Sequence, residues 1–388
     1  MISKILFWSS AFLIIYTMII YPAVIIIIGK FSKKINVNDD NLKKSIPNVS
    51  VIIPAHNEEK VIIKKINNIL SSNYPLEKLK IIISSDNSTD STNSLVRDYI
   101  INNKINNVSL HVVQKRMGKT NAQDEAVELT KDEFLVFTDA NSLLDRNSIL
   151  RLIKKFSNDT IAYVCGRLVY VKDDNITSKL ENTYWDIETT IRKIEGDLQT
   201  ITAGNGALYC VRKSDYLKIN LIESHDSAMP FIYAKNLRRA IACNDSLVFE
   251  KTGNSISEEY KRKVRMNRNI FRQLWNTIYI LNVFKYKWFT FFYLGHRTFR
   301  YLLWISHLNL LISNIYLAFI SYIYLYLLIG HVSIYLLVIF QHFFKTNNKW
   351  LNFIYYYIMT VIAQWNAVLK SILGKNKAFW EKAETTRV

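Results

Sequence analysis

The chain has 388 residues, of which 49% are hydrophobic and 21% charged, a mixture that fits neither a purely soluble domain nor a polytopic transporter. Fifty Lys and Arg against 32 Asp and Glu give a formal net charge of +18. Such a charge suits nucleic acid, anionic lipid or a phosphorylated substrate, but no nucleic-acid-binding module accompanies it, so nucleic acid is not an expected partner. The three cysteines, Cys165, Cys210 and Cys243, have neither metal-ligand nor disulfide spacing, which indicates a reducing compartment.

An uncharged segment lies near the start of the sequence. Residues 5–29 carry no charge and are long enough to cross ~30 Å of hydrocarbon as a helix. They lack the short apolar region and small-residue cleavage site of a signal peptide, so we predict an uncleaved anchor over residues 1–34. Three lysines follow by residue 34, and the positive-inside rule predicts that the next part of the chain is cytoplasmic.

Residues 45–257 alternate between apolar runs and helical patterns. Runs of strand character begin at residues 49, 79, 108 and 134, and helical patterns lie between them near 57–71, 88–101 and 119–130. This alternation predicts a parallel α/β sheet, in which ligands bind at the carboxyl ends of the strands. Three predicted strands are followed by polar or acidic loops, at 55–59, 85–90 and 139–142. Helix capping accounts for any one of them, whereas three at one sheet edge favour a binding site.

The last third of the chain is predicted to associate with a membrane. Residues 258–300 mix basic and aromatic side chains, which predicts amphipathic helices in the membrane interface. The region 301–388 begins with a nearly uncharged stretch, 301–344, long enough for two spans with a turn near Gly330. The apolar stretch 350–373 fits either a third span or a re-entrant, interfacial helix. The basic tail after it favours the second alternative, since basic residues prefer the cytoplasmic side.

The motifs, in order, resemble those of the family 2 glycosyltransferases. They are Pro54-Ala55-His56-Asn57-Glu58, Ser85-Asp86, Gly118-Lys119, Asp139-Ala140-Asn141, Thr202 to Tyr209, and His225-Asp226. The members most similar in organisation are exopolysaccharide enzymes related to hyaluronan, cellulose and poly-N-acetylglucosamine synthases. The resemblance implies a cytoplasmic GT-A domain, which is Rossmann-like and binds nucleotide-sugars, between N-terminal and C-terminal transmembrane helices.

The resemblance also implies which residues bind the donor. They are Pro54, Ala55, Asn57, Glu58, Asp86, Lys119, Asp139, Arg262 and Arg265. Asp86 would accept a hydrogen bond from the base; uracil has a single ring N–H, which favours a UDP-sugar. Lys119, at a helix start, would meet the diphosphate, with an exposed lysine as the alternative. The family's Gln-x-x-Arg-Trp motif is not intact, and a basic helix on anionic lipid is the alternative for Arg262 and Arg265.

Asp139-Ala140-Asn141 stands where the family has its Asp-x-Asp metal motif. An amide replaces the second carboxylate, which removes one negative charge. Asp139 and Asn141 can both offer an oxygen atom to a hard cation. The implied cofactor is Mg²⁺ or Mn²⁺, which would neutralise the diphosphate leaving group.

The acceptor side is assigned by the same resemblance. Trp185 and the run Gly204-Asn205-Gly206 would lie near the acceptor, although a strand bulge also explains the glycines. Asp226 is the implied general base, and His225 departs from the acid that the family has before it. The tail around Trp380 resembles the ending of related polymer synthases, which implies a further acceptor contact; an interfacial anchor is the alternative.

These features predict an inverting, metal-dependent hexosyltransferase in the inner cell membrane, multi-pass, with its catalytic domain in the cytoplasm. It would move a sugar from a nucleotide-sugar to a glycan or lipid-linked acceptor in cell-surface polysaccharide synthesis. One alternative is transfer to a polyprenyl phosphate. The other is a membrane receptor that binds nucleotide-sugars without catalysis, in which Asp226 would have no task. The sugar, the acceptor and any export partner stay open.

Overall fold

The computed structural model describes residues 1–32, 46–171, 176–251 and 256–376, with the backbone alone at 176–185 and 256. Over these residues a mixed α/β domain lies between apolar helices that precede and follow it in the chain. The strand ends of the sheet position the candidate site.

The sheet has eight strands in the order β3-β2-β1-β4-β7-β6-β8-β5. They are β1 (Val49–Ala55), β2 (Leu79–Ser85), β3 (Val108–Val112), β4 (Phe134–Thr138), β5 (Leu143–Leu144), β6 (Ile161–Val171), β7 (Leu208–Arg212) and β8 (Arg239–Lys251). Strand β1 pairs in parallel with β2 and β4, and β2 pairs in parallel with β3, which confirms the parallel arrangement predicted for these four strands. Strand β7 is antiparallel to β4 and β6, so the complete sheet is mixed.

Sixteen α-helical segments surround or flank the sheet in the described residues. They are α1 (Ile2–Ile15), α2 (Tyr21–Phe31), α3 (Ile62–Leu70), α4 (Thr92–Asn102), α5 (Lys119–Glu128), α6 (Ser148–Lys154), α7 (Ile176–Leu198), α8 (His225–Lys235), α9 (Ile256–Met266), α10 (Ile270–Tyr279), α11 (Val283–Tyr286), α12 (Trp288–Tyr293), α13 (Phe299–Tyr301), α14 (Leu303–Ala318), α15 (Tyr322–Phe344) and α16 (Lys349–Ile372). Two π-helical turns interrupt this series, at Tyr16–Ile20 and Leu294–Thr298.

The core lies on both faces of the sheet. In β1, Val51 and Ile53 belong to one buried cluster, together with Ile62 and Ile66 of α3, whereas Ile52 belongs to a second cluster on the other face. Alternating side chains of the strand are therefore all buried, which explains why β1 reads as a continuous apolar run.

Two helices in the described part of the chain are long and apolar enough to cross a membrane, Ile2–Phe31 and Tyr322–Phe344. Helices α12 to α14, at 288–318, would add a third span if they form one, although they are bent by 58°. The predicted turn near Gly330 is wrong, since α15 continues through Gly330 and the connection lies at 319–321. A helix in hydrocarbon satisfies its own backbone hydrogen bonds, so one glycine there need not end it.

Helix α16 is unbroken over Lys349–Ile372, so the 350–373 stretch contains no re-entrant loop. Its polar side chains bond to the neighbouring helices: Gln364 donates to the carbonyl of Arg300 at 3.0 Å and Asn366 to the hydroxyl of Tyr260 at 2.9 Å. An unbroken helix is compatible with a third span and with an interfacial helix, so the choice between these two stays a prediction.

The anchor helix is attached to the domain by a buried polar cluster. The Tyr21 hydroxyl donates to Glu195 at 2.7 Å, and His296 lies between Glu195, at 2.7 Å, and Glu188, at 3.0 Å. Arg300 also bonds to Glu188, at 2.9 Å. Burial alone would raise the pKa of Glu188, but the charges of His296 and Arg300 hold that pKa well below its usual range. The cluster joins helix α2, helix α7 and the segment before α14.

Candidate active site

The loops after β1 and β2 are fastened to each other. Asn57 has a positive φ of 55°, and its side-chain oxygen accepts from the backbone N–H of Thr89 at 2.7 Å while its amide donates to the Thr89 hydroxyl at 3.1 Å. The backbone N–H of Glu58 donates to the hydroxyl of Thr92 at 2.8 Å. Because of this left-handed conformation at residue 57, helix α3 begins at residue 62 rather than near 57 as predicted.

Asp86 ties the end of β2 to the glycine–lysine step. Its two carboxylate oxygens accept from the backbone N–H groups of Met117 and Gly118, each at 2.9 Å. Gly118 has φ 102° and ψ 172°, a conformation open mainly to glycine. The N–H of Asp86 donates to the carbonyl of Ala55 at 2.7 Å, so Pro54-Ala55, at the end of β1, lies beside Asp86.

Four of the predicted site elements meet around Lys119, the first residue of α5. Its ammonium forms an ion pair with Asp139 and donates to the carbonyl of Gly206 at 3.2 Å. A Cβ built on Gly206 would lie 3.4 Å from the carboxylate carbon of Asp226, so the Asp226 carboxylate lies beside Gly206. The side chains of Lys119 and Asp139 are 23% and 29% exposed and thus accessible to a ligand. The predicted diphosphate lysine, metal aspartate, glycine run and general base therefore lie next to one another.

The glycine run is held by close packing. A Cβ on Gly204 would lie only 2.0 Å from the hydroxyl of Tyr163, so no larger residue fits there. The N–H of Gly204 donates to the carbonyl of Asp226 at 2.7 Å. Asn205 is buried, and its side chain donates to the carbonyl of Gly166 at 3.3 Å and accepts from the N–H of Ala207 at 3.0 Å. The Asn205 side chain thus holds the run in shape, and its predicted acceptor contact stays a prediction.

Asn141 is paired with a carboxylate that sequence reasoning missed. Its amide donates to Glu250 at 2.8 Å, because pairing of β5 with β8 brings Glu250 beside the loop after β4. Within the described residues, no three His, Cys, Asp or Glu side chains are grouped so that they could hold a metal ion. Asp139, Asn141 and Glu250 nevertheless offer the hard oxygen donors that Mg²⁺ or Mn²⁺ prefers, and such ions commonly take their remaining ligands from substrate phosphates and water. The donor chemistry therefore fits a cation shared with a diphosphate.

The predicted diphosphate arginines lie on helix α9, and one of them is engaged in ion pairing on that helix. Arg262 bonds to Glu259 at 2.6 and 2.9 Å and to the hydroxyl of Tyr170 at 3.1 Å. Trp275 is 62% exposed on helix α10. The arrangement leaves the diphosphate role of Arg262 a prediction.

Arg265, the second predicted arginine, and Arg268 interact electrostatically with the carboxylates of the site. Burial, reinforced by two neighbouring arginines, lowers the pKa of Arg265 to about 10, and the charges of Asp139 and Glu250 oppose the shift. Burial also lowers the pKa of Arg268, opposed by the charge of Asp226. Arg268 was not predicted, since it belongs to no motif; its three-residue spacing from Arg265 on a basic segment was the only available signal.

His225 is buried next to the predicted general base. Its Nδ1 lies 3.0 Å from the hydroxyl of Tyr209 and 2.9 Å from the side-chain oxygen of Gln123. Its Nε2 lies 3.1 Å from the hydroxyl of Tyr216. The histidine that departs from the family pattern thus anchors the first turn of α8, from which Asp226 projects.

Ser227 connects the same turn to the membrane-proximal helices. Its hydroxyl accepts from Gln273 of α10 at 3.2 Å and from Arg297, which precedes α14, at 2.9 Å. The predicted base is therefore flanked on both sides by residues with side-chain hydrogen bonds.

Two predicted acceptor residues cannot be placed in the site. The side chain of Trp185, in α7, and the whole of Trp380 lie outside the described residues.

A sheet of this order, with the acidic loops at its strand ends, defines a GT-A domain. Residues 50–216 match the model of the family described as glycosyl transferase family 2. This match confirms the resemblance to family 2 glycosyltransferases that the motifs indicated.

Known proteins resemble the chain over parts or most of its length. It is 23% identical over 159 residues to a hyaluronan synthase of Streptococcus pyogenes, covering 39% of this chain and 38% of the relative. It is 28% identical over 123 residues to the beta-monoglucosyldiacylglycerol synthase of Nostoc sp., covering 32% of this chain and 26% of the relative. The matches therefore span well under half the length of these curated relatives.

A solved structure matches much more of the chain. The mannosyltransferase PcManGT from Pyrobaculum calidifontis, in complex with GDP-Man and Mn²⁺, has a TM-score of 0.67 at 20% identity. The likeness covers 94% of this chain and 99% of that one. At this identity it establishes the shared GT-A fold.

Proposed function

We propose that this protein is an inverting, metal-dependent glycosyltransferase that works at a membrane. It takes a nucleotide-sugar, with a UDP-sugar favoured, and transfers the sugar to a glycan or lipid-linked acceptor in cell-surface polysaccharide synthesis. The observation that carries the proposal is the proximity of the two halves of the site: Lys119 bonds to both Asp139 and Gly206, and the Asp226 carboxylate lies beside Gly206. A donor group and an acceptor group would meet here.

The arrangement supports a single displacement. Asp226 accepts the proton of the acceptor hydroxyl as the acceptor oxygen attacks the anomeric carbon of the sugar. The bond between that carbon and the nucleoside diphosphate breaks on the opposite side, which inverts the configuration. Lys119 donates to the departing diphosphate and stabilises its developing charge. When bound at Asp139 and Asn141, Mg²⁺ or Mn²⁺ supplies neutralisation of that diphosphate.

The donor loops support recognition of a nucleotide. Asp86 has carboxylate oxygens fixed by two backbone N–H groups, and each oxygen keeps lone pairs for the ring N–H of a base. The solved mannosyltransferase binds GDP-Man and Mn²⁺. Guanine also has a ring N–H, so GDP-sugars belong in any donor test beside UDP-sugars.

The apolar helices support a membrane location. In the membrane topology that we propose, three segments cross the bilayer: 2–31, 288–318 and 322–344. With the α/β domain in the cytoplasm, this count returns helix α16 and the tail to the cytoplasmic side. An acceptor that is a lipid or a growing polymer would then reach the site beside Ser227 and the membrane-proximal helices. The relatives that make hyaluronan and a glucosyldiacylglycerol support these two acceptor classes.

A donor screen tests the proposal. The purified full chain in lipid nanodiscs, with Mn²⁺, is incubated with UDP-, GDP- and dTDP-sugars, and release of nucleoside diphosphate is measured. We expect turnover with one nucleotide class, most readily UDP, which rises when membrane extract supplies acceptors. Binding of a nucleotide-sugar without diphosphate release under every acceptor condition would instead indicate a non-catalytic receptor. Label recovered in polyprenyl phosphate would indicate the other alternative.

A further inference from the structure

A lysine side chain lies in the core behind residues 138–142, the loop that carries Asp139 and Asn141 and is called the cation loop below. Lys65 of helix α3 is 0% exposed, between the core residues Ile62 and Ile69. Burying an ammonium group away from water is strongly unfavourable unless it is hydrogen-bonded. The position therefore needs a compensating set of polar partners, and none of the chemistry described above uses this side chain.

The partners of Lys65 match a protonated amine. Its Nζ donates to the hydroxyl of Thr138 at 2.7 Å, to the carbonyl of Ser142 at 2.6 Å and to the hydroxyl of Ser142 at 3.2 Å. Both hydroxyls are used as donors elsewhere, Thr138 to the carbonyl of Ala207 at 2.8 Å and Ser142 to the carbonyl of Asp139 at 2.9 Å. Three acceptors thus surround a group that has three N–H donors only when it is charged.

These contacts bracket the cation loop. Thr138 is the last residue of β4 and Ser142 lies just before β5, so Lys65 bonds to both ends of the turn that carries Asp139 and Asn141. Through Thr138, the same network reaches Ala207, the residue after the glycine run. Lys65 consequently ties together the loop that would hold a cation and the strand that positions the acceptor side.

Burial and the nearby carboxylates have opposite effects on the pKa of Lys65. Burial lowers the pKa of Lys65 to about 7, and the carboxylates of Asp139 and Glu250 oppose that shift. Both carboxylates belong to the candidate cation site. When it is protonated, Lys65 therefore offsets part of the repulsion between these two carboxylates.

We propose that Lys65 is a positioning residue for the site that binds a divalent cation and a nucleoside diphosphate. It holds residues 138–142 in the conformation that presents the oxygens of Asp139 and Asn141 to one cation. The inference rests on the glycosyltransferase function proposed above and deepens it. A merely structural role would instead make Lys65 important for stability while leaving cation affinity of the folded protein unchanged.

The test measures Mn²⁺ binding rather than turnover. Full-length protein in nanodiscs is titrated with Mn²⁺ in the presence of UDP, or of GDP if only that nucleotide binds, and free Mn²⁺ is followed by electron paramagnetic resonance. Lys65→Met should weaken Mn²⁺ binding at least tenfold, while Lys64→Met, an exposed neighbour on the same helix, should match wild type. Thermal unfolding and circular dichroism report whether each variant is folded.

A second pair of variants keeps the test decisive if Lys65→Met does not fold. Thr138→Val is nearly isosteric and removes one acceptor of Lys65, so it should weaken Mn²⁺ binding several-fold. Thr138→Ser keeps the hydroxyl and should bind Mn²⁺ more tightly than Thr138→Val. Wild-type Mn²⁺ affinity in folded Lys65→Met, or in Thr138→Val, would overturn the inference alone. Absence of Mn²⁺-dependent nucleotide binding by wild type would overturn it together with metal dependence in the proposed function.

Discussion

Asp226 is the single residue on which the proposed chemistry depends most. Its backbone carbonyl accepts from Gly204 at 2.7 Å, and the flanking His225 and Ser227 are both hydrogen-bonded through their side chains. The turn is thus held by groups other than the Asp226 carboxylate. Changing that carboxylate should alter the chemistry with little change to the surrounding fold.

Asp226→Asn should therefore lower turnover by about 10²–10⁴, the usual effect of losing a general base. Affinity for the nucleotide should stay within a few-fold of wild type, because the donor loops lie on the other side of the site. Asp98→Asn, an exposed carboxylate on α4, is the matched control and should be fully active. Steady-state diphosphate release and nucleotide titration measure both quantities; near-normal turnover of Asp226→Asn would refute its assignment as the base.

The single substitution Asn141→Asp tests the cation site. The new carboxylate would stand beside Glu250, which Asn141 now contacts at 2.8 Å, so the two would repel each other until a cation binds. Mn²⁺ affinity in the presence of nucleotide should increase, since a hard cation gains a charged ligand. Isothermal titration checks this. Unchanged or weaker binding would argue against direct ligation by residue 141.

Among the strands and helices, those marked by a pattern in their own stretch of sequence could be predicted. The strands β1 to β4 were each marked by an apolar run, and the three site loops follow directly from the ends of their own strands. Start positions of helices were less predictable: α3 begins at residue 62 because Asn57 adopts a positive φ and bonds to the neighbouring loop. That bond joins residues 32 apart and leaves no periodic trace in the sequence.

Residues that reach the site through long-range pairing were missed for the same reason. Glu250 arrives through pairing of β5 with β8, and Lys65 arrives from the side of helix α3. Neither stands in a motif. In contrast, Lys119, Asp139 and Asp226 could be predicted because their positions follow from the order of short motifs, even though the contacts among them could not.

Helices α10 to α12 present an apolar face that nothing in the described chain covers. The side chains on this face are at least 40% exposed and include Phe271, Trp275, Ile278, Leu281, Val283, Phe284 and Trp288. The opposite face is buried, with Ile280 and Phe289 in a core cluster with Phe231 of α8. Such a division between faces supports the predicted interfacial location of this segment, which would place helix α8 and Asp226 near the membrane.

A cysteine at Phe284, which is 90% exposed, should report this location. Labelled with an environment-sensitive fluorophore in nanodiscs, it should be quenched by lipids carrying a nitroxide near the headgroup. A label at Lys64→Cys, an exposed position of α3, should not be quenched. The native thiols should react little, because burial raises the pKa of Cys165 to about 11 and also raises those of Cys210 and Cys243. Equal quenching at both positions would contradict an interfacial face.

At the scale of the whole molecule, the buried cluster around His296 joins the anchor helix to the catalytic domain. Tyr21 contributes from helix α2 and Glu195 from α7, so the domain has a defined attachment to its membrane helices. In the proposed membrane location, this attachment would hold the predicted acceptor residues on the side of the domain that faces the bilayer. This geometry suits an acceptor that is delivered from, or grows toward, the bilayer.

In the topology proposed above, the tail would be cytoplasmic. Residues 377–388, with Trp380, lie outside the described part of the chain. Removing residues 376–388 should reduce transfer far more than membrane insertion, because Trp380 and Arg387 are predicted to contact the substrate. A cysteine at Thr385 should react with an impermeant reagent only after cells are permeabilised. Labelling of intact cells, or full turnover of the truncated protein, would contradict this.

Transfer of a labelled sugar is the most direct test of the central claim. The full chain in nanodiscs, with Mn²⁺ and the donor selected by the screen, receives donor carrying ¹³C in its sugar, and mass spectrometry follows the label. With wild-type protein, we expect the label in a glycan or lipid-linked product with inverted anomeric configuration. With Asp226→Asn, we expect the label to stay in the donor. Intact donor recovered from wild type, or a product of retained configuration, would contradict the account.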